Sequence, residues 1–140
     1  MAFVVNYDLR IPYHALPGLG LQPAVEVHLY YQGREQRVLG ILDSGSPWTV
    51  FSQEIALGLG IVHVFEGDRV TANTFGGDTT FFQFDLEMGV TVGAINKRFP
   101  ARVGFRPVHA SRNILGRTVF FSNFQIGWRE LAQEVFLSPE

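Results

Sequence analysis

Two stretches alternate apolar and polar residues with a period of two, and that period commits the chain to sheet more firmly than any other feature. In Ala24-Val25-Glu26-Val27-His28-Leu29-Tyr30, the side chains of Val25, Val27 and Leu29 fall on one face. Between Phe81 and Met88, one face carries Phe82, Phe84, Leu86 and Met88 and the other Phe81, Gln83, Asp85 and Glu87, the pattern of a half-buried strand. Phenylalanine occurs 13 times in 140 residues, and a core rich in rings and Val packs better in sheets than in helices. The predicted class is all-β, mainly strand with one or two short helices.

Turn chemistry orders these strands. Gln32-Gly33-Arg34 joins the first alternating stretch to a returning strand from Gln36 to Leu42. A second hairpin runs through Val70–Phe75, a Gly76-Gly77-Asp78 tip and Thr79–Leu86. Further strands are predicted near Val4–Leu9, Val90–Val92, Arg98–Phe105 and Phe124–Trp128, with Pro12 to Pro23 as a long connection. Ser52–Gly58 reads as a short helix, Ser52 its cap and Glu54 in the positive first turn. A helical turn is expected at Thr118–Phe121, and the tail Arg129–Phe136 reads as helix. With no internal repeat and no low-complexity linker, one domain is expected over residues 1–140, with its core at about 24–128 and a tail at 129–140.

Composition removes several function classes. A net charge of −2 gives no electrostatic footprint for nucleic acid or an anionic membrane. The absence of cysteine removes disulfides, thiolate metal sites and cysteine nucleophiles. No apolar run approaches the roughly 18 residues of a membrane helix, and MAFVVNYDLRIPYHALPG lacks a basic segment followed by an apolar one. The expectation is a cytoplasmic protein with no metal or cofactor.

The chemistry concentrates in Gly40-Ile41-Leu42-Asp43-Ser44-Gly45-Ser46-Pro47, where an apolar strand delivers one carboxylate into a tight turn. In a purely structural reading, Asp43 accepts a backbone hydrogen bond from two residues on. A second reading makes Ser44 a nucleophile, but none of His14, His28, His63 and His109 stands in a recognisable context for its base. In a third, Asp43 is itself the reactive group.

The order of features favours the third reading. Ile41-Leu42-Asp43-Ser44-Gly45-Ser46 is followed by a hairpin with Phe75-Gly76-Gly77 at its tip, then Asn113-Ile114-Leu115-Gly116-Arg117, then a closing strand. This arrangement resembles the retropepsins, the single-domain aspartic proteases typified by retroviral enzymes, over roughly Ala24 to Trp128. The resemblance implies an acid-protease barrel with one lobe per chain, assembled as a symmetric homodimer in which two Asp43 carboxylates form the catalytic dyad. It implies that Ser44, Gly45 and Ser46 support the active loop, Ser46 by bonding the outer carboxylate oxygen. Phe75, Gly76 and Gly77 would form a substrate-binding flap, and Ile114, Leu115 and Gly116 a structural motif beneath the loop. The partners implied are a second copy of the chain and an extended, apolar-rich polypeptide, cut at mildly acidic pH. A dimerising or peptide-binding module of the same fold is the alternative, and a small β-barrel carrier a third.

The chain departs from the family pattern in two places. Many viral members carry an acid shortly after the motif's Gly that pairs with the late Arg. Here Ser46, Pro47 and Trp48 stand there, leaving Arg117 to find Asp8 or Glu134 or to stay solvated. A helical tail would also not interleave with a partner's terminal strand. That leaves Trp128, Leu131, Val135 and Phe136 to be buried between subunits or, for Val135 and Phe136, on their own domain.

Overall fold

The computed structural model describes residues 6–74, 77–109 and 112–140. The two alternating stretches form strands that share a core. In chain order the elements are β1 (Leu9–Pro12), β2 (His14–Leu16), β3 (Gly20–Gln22), β4 (Ala24–Tyr31), β5 (Arg34–Leu42), β6 (Val50–Phe51) and α1 (Gln53–Gly58). A 3-10 turn at Val64–Glu66 precedes β7 (Asp68–Thr74), β8 (Gly77–Val92), β9 (Ile95–Phe105) and β10 (Ile114–Leu115). An irregular turn at Arg117–Phe121 then leads to β11 (Phe124–Arg129) and β12 (Glu134–Pro139).

Seven strands pair in the order β4-β5-β10-β6-β9-β8-β7, and β4 also pairs with β8, which closes the sheet into a ring. The closure is possible because β8 is 16 residues long. Phe81, Phe82 and Gln83 pair with β7, and Glu87, Met88 and Gly89 with β4, while β9 runs alongside from Phe82 to Val92. Inside the ring Val25, Val27, Leu29, Phe51, Met88, Val103, Phe105 and Leu115 have no solvent exposure. The β4 alternation is therefore as expected.

Four local expectations are corrected. Pro12 to Pro23 is not one long connection but contains the hairpin β2–β3, registered His14 to Gln22. Phe81, assigned to the polar face of its strand, is buried. It packs edge-on against Trp48 at 5.5 Å and lies over Gly104, where a Cβ would stand 2.3 Å from its ring. Ser52 precedes α1 but makes no side-chain cap, and its Oγ is buried without a partner. The turn at Thr118–Phe121 is not regular helix: Thr118 is extended and Val119 sits at φ 76, ψ −66, costly for a β-branched residue. The carbonyl of Val119 accepts bonds from Ser122 Oγ and Asn123 Nδ2.

The tail is a fifth correction. Residues 134–139 form strand β12, which pairs antiparallel with β1 on one side and β11 on the other. Val135 and Leu137 are fully buried in their own chain, and Phe136 packs at 5.6 Å from Tyr7. Tyr13 reinforces the join, its N–H donating to Gln133 O at 2.8 Å and its hydroxyl to Glu130 Oε2 at 2.6 Å. Leu131 and Trp128 stay exposed on the β11–β12 hairpin. Among the described residues, no helix is long and apolar enough to cross a membrane.

Because β12 belongs to the core, Leu137→Ala should destabilise the chain by about 2–5 kcal/mol, read by chemical denaturation. A loose tail would lose almost nothing.

Candidate active site

The site is built where β5 ends. β10 pairs parallel with β5, Ile114 beside Ile41 and Leu115 beside Leu42, and the ladder continues one residue further as Asp43 N–H donates to Leu115 O at 3.0 Å. Asp43 is thereby fixed by backbone at the last rung of a buried pair. Its Oδ1 accepts the N–H of Gly45 at 2.9 Å and its carbonyl the N–H of Ser46 at 3.1 Å. The turn expected from Asp-Ser-Gly is therefore present, and it orients the carboxylate.

A second loop locks onto the first. Arg117 N–H donates to Ser46 O at 2.9 Å and Thr118 N–H to Pro47 O at 3.1 Å. Thr49, which the sequence reading did not single out, joins them. Its buried hydroxyl donates to Thr118 O at 2.7 Å and accepts the N–H of Gly116 at 3.0 Å. Gly116 has a steric reason to be glycine, since a Cβ there would stand 2.1 Å from Trp48 O and 2.7 Å from Ser46 O. Asn113 adds a further tie, its Oδ1 accepting the N–H of Ser52 at 2.9 Å.

Within one chain, Ser44 is exposed. The Ser46 hydroxyl turns toward Trp48, donating to its carbonyl at 2.8 Å and accepting its N–H at 3.2 Å, so it braces the loop rather than bonding the Asp43 carboxylate. Ile114 is half-buried, and Leu115 and Gly116 are buried beneath the loop. Gly77 opens β8, while Phe75 and Gly76 lie outside the described residues. Arg117 is exposed and makes no ion pair among the described residues; Glu134 pairs with Arg10 at 3.0 Å, and Asp8 N–H donates to Ser138 Oγ at 2.8 Å.

These pieces enclose a cleft of about 680 Å³. Asp43, Gly45, Ser46, Pro47, Trp48, Val50 and Ile114 line it on one side, Ala72, Asn73, Thr79 and Phe81 from the β7–β8 hairpin on another, and Arg106 and Arg112 complete it. Neither arginine was singled out in the sequence, where nothing distinguishes them from surface charges. Arg106 is half-buried with its Nε cut off from solvent and without an acceptor, and burial pushes its pKa down. Among the described residues, no three His, Asp or Glu side chains converge as a metal site.

No family model and no curated protein sequence matches this chain. Its structure is similar to the crystal structure of a retropepsin-like aspartic protease from Rickettsia conorii, with a TM-score of 0.60 over 92% of this chain and 98% of that one, at 14% sequence identity. The fold is that of a retropepsin. At that identity the likeness is one of architecture, and a strand ring with two short helices agrees with it. In this retropepsin fold the Asp43 loop and the Gly116 loop form a single braced unit.

The Thr49 bridge can be tested alone. Thr49→Val should destabilise the fold by about 1–3 kcal/mol, because it leaves the buried Gly116 N–H without an acceptor. Thr49→Ser should recover most of that loss, both read from urea unfolding curves.

Proposed function

We propose that this chain is one half of a homodimeric aspartic endopeptidase, with Asp43 as its catalytic residue. The observation that carries the reading is a single carboxylate, held by backbone at a strand end, facing the cleft of a retropepsin fold. Hydrolysis of an amide without metal or covalent intermediate needs a base to take a proton from water and an acid to give one to the carbonyl oxygen. Two carboxylates sharing one proton do both, as is established for aspartic-protease dyads, and their pKa values belong to the pair. This chain has one Asp-Ser-Gly motif, so the second carboxylate comes from a second copy across a two-fold axis.

In the reaction, the ionised Asp43 accepts a proton from water as the oxygen attacks the peptide carbonyl carbon. The protonated Asp43 of the second copy gives its proton to the carbonyl oxygen. Collapse of the tetrahedral diol breaks the C–N bond: the leaving nitrogen takes the proton held by the first Asp43, and the second Asp43 takes one hydroxyl proton from the diol, so the acid and amine depart and the pair keeps one shared proton. The substrate lies extended, hydrogen-bonded as an added strand between the loop and the β7–β8 hairpin, with Phe75, Gly76 and Gly77 as the flap. The exposed Ser44 hydroxyl is available to bond across the axis, and Gly45 allows the two loops to approach. Ser46 keeps its bracing role, and Ile114, Leu115 and Gly116 hold the loop from below. Trp128 and Leu131, exposed on the β11–β12 hairpin, offer apolar area for association. Nucleic acid and membrane have no part in the scheme.

The test incubates purified protein with a peptide library across pH values, alongside Asp43→Asn. Wild-type protein should cut with a bell-shaped pH profile, and the variant should lose about a hundredfold to ten-thousandfold in kcat/KM. Equal cleavage by both proteins rejects Asp43 as the catalyst, and peptides retained intact by wild-type protein point to the binding-module alternative. Equimolar mixing of wild-type and Asp43→Asn chains, under freely exchanging conditions, should leave roughly one quarter of the dimers with two carboxylates and a matching share of the activity. A fall only to one half indicates that each chain works alone.

A further inference from the structure

Arg106 enters the cleft from the end of β9. Its N–H donates to Phe51 O at 2.9 Å, which carries the β6–β9 pairing one residue further, and strand alternation turns its side chain away from the face that buries Phe105. There it lines the same cleft as Asp43, together with Trp48, Val50, Phe81 and Ile114.

Three other arginines in the fold have carboxylate partners: Arg10 with Glu134, Arg98 with Glu87, and Arg102 with Asp68 and Asp85. Arg106 has none among the described residues, and its Nε is shut away from both solvent and protein acceptors. Burial lowers its pKa, with no charged neighbour opposing the shift, yet a guanidinium does not give up its proton in proteins. The charge is therefore partly desolvated and unpaired, which costs stability, and it faces the space where a peptide would lie. A second guanidinium, Arg112, stands exposed on the same cleft.

We propose that Arg106 anchors a carboxylate-binding subsite beside the scissile bond, so that the cleft selects peptides carrying an acidic group within reach of Asp43. The inference rests on the aspartic-protease reading and specifies its substrate class. A planar guanidinium fork matches a carboxylate bidentately, and the apolar walls strengthen the pair by lowering the local dielectric. Two-fold symmetry places one Arg106 on each side of the cut bond, so acidic groups are favoured on either side. The carboxylate comes either from a Glu or Asp side chain or from the free end of a peptide. The scheme narrows the apolar-rich substrate expected from the sequence to one with an acid set among apolar residues.

The experiment uses full-length wild-type protein, Arg106→Gln and Arg106→Lys on matched peptides. One set, blocked at both ends, carries Glu or Gln at positions flanking the cut bond; another is neutral, with a free or an amidated C-terminus. The readout is the ratio of kcat/KM values between members of a pair, from pH 3.5 to 6.5. Wild-type protein should prefer Glu over Gln by at least about tenfold once the pH exceeds the ordinary Glu pKa of about 4.3, and lose the preference below it. Arg106→Gln should bring the ratio to about one throughout, and Arg106→Lys should keep only part of it, since the charge stays and the fork is lost. Should Arg106→Gln fail to fold, the wild-type titration and Arg106→Lys still decide. If the free-ended peptides alone gain from Arg106, the carboxylate recognised is a chain end. A wild-type ratio near one at every pH, with neutral peptides cut in an Asp43-dependent way, overturns the subsite and leaves the protease reading standing, as does a preference that survives Arg106→Gln. Absence of any cleavage counts against the protease reading; the peptide pairs are then compared by equilibrium binding, where no Glu preference, or one untouched by Arg106→Gln, overturns the subsite too.

Discussion

The geometry of the cleft depends on a parallel backbone pairing only two residues long. β10 lies beside β5 just far enough for the Leu115 carbonyl to accept the Asp43 N–H. Such a short pairing would fray alone, and the Thr49 hydroxyl, the Arg117 and Thr118 amides and the Asn113 side chain hold it closed. The bonds from Gly116 N–H to Thr49 and from Ser52 N–H to Asn113 satisfy backbone donors that burial would otherwise leave bare. The same bonds that complete the core therefore aim the carboxylate, so stability and site geometry cannot be varied independently here.

Around that rigid unit the cleft combines opposite demands. Trp48, Val50, Phe81 and Ile114 make it apolar, which favours burial of a ligand and raises the cost of any charge left unpaired. Asp43 and Arg106 both line it. The carboxylate is partly served by the Gly45 amide, whereas the guanidinium Nε has no acceptor. On the proposed reading, this unequal satisfaction, rather than the apolar lining, is the source of the cleft's chemical preference.

What could be read from the sequence was what is decided locally. Strand alternation gives β4 to within a residue and the middle of β8, which runs on through the separately expected Val90–Val92 strand; glycine-containing tips give two hairpins, and the Asp-Ser-Gly and Ile-Leu-Gly motifs mark the two loops that meet. What could not be read depends on partners far along the chain. β12 reads as helix in the sequence because its pairing strand β1 lies far earlier in the chain (Leu9 beside Leu137), and nothing within Arg129–Phe136 records that neighbour. Alternation puts Phe81 on a polar face because it cannot foresee that Trp48 packs against the ring. Thr49 and Arg106 carry no local mark at all; their importance arises only when Gly116 and the cleft are brought to them.

The position of β12 has a wider consequence. Flanked on both sides by strands of its own chain, it asks nothing of a neighbour to complete its hydrogen bonding. The docking of the tail is thus a property of one polypeptide, whatever its concentration. On the proposed two-carboxylate reading, folding and pairing are then separate events, and the abundance of the chain would set its potency.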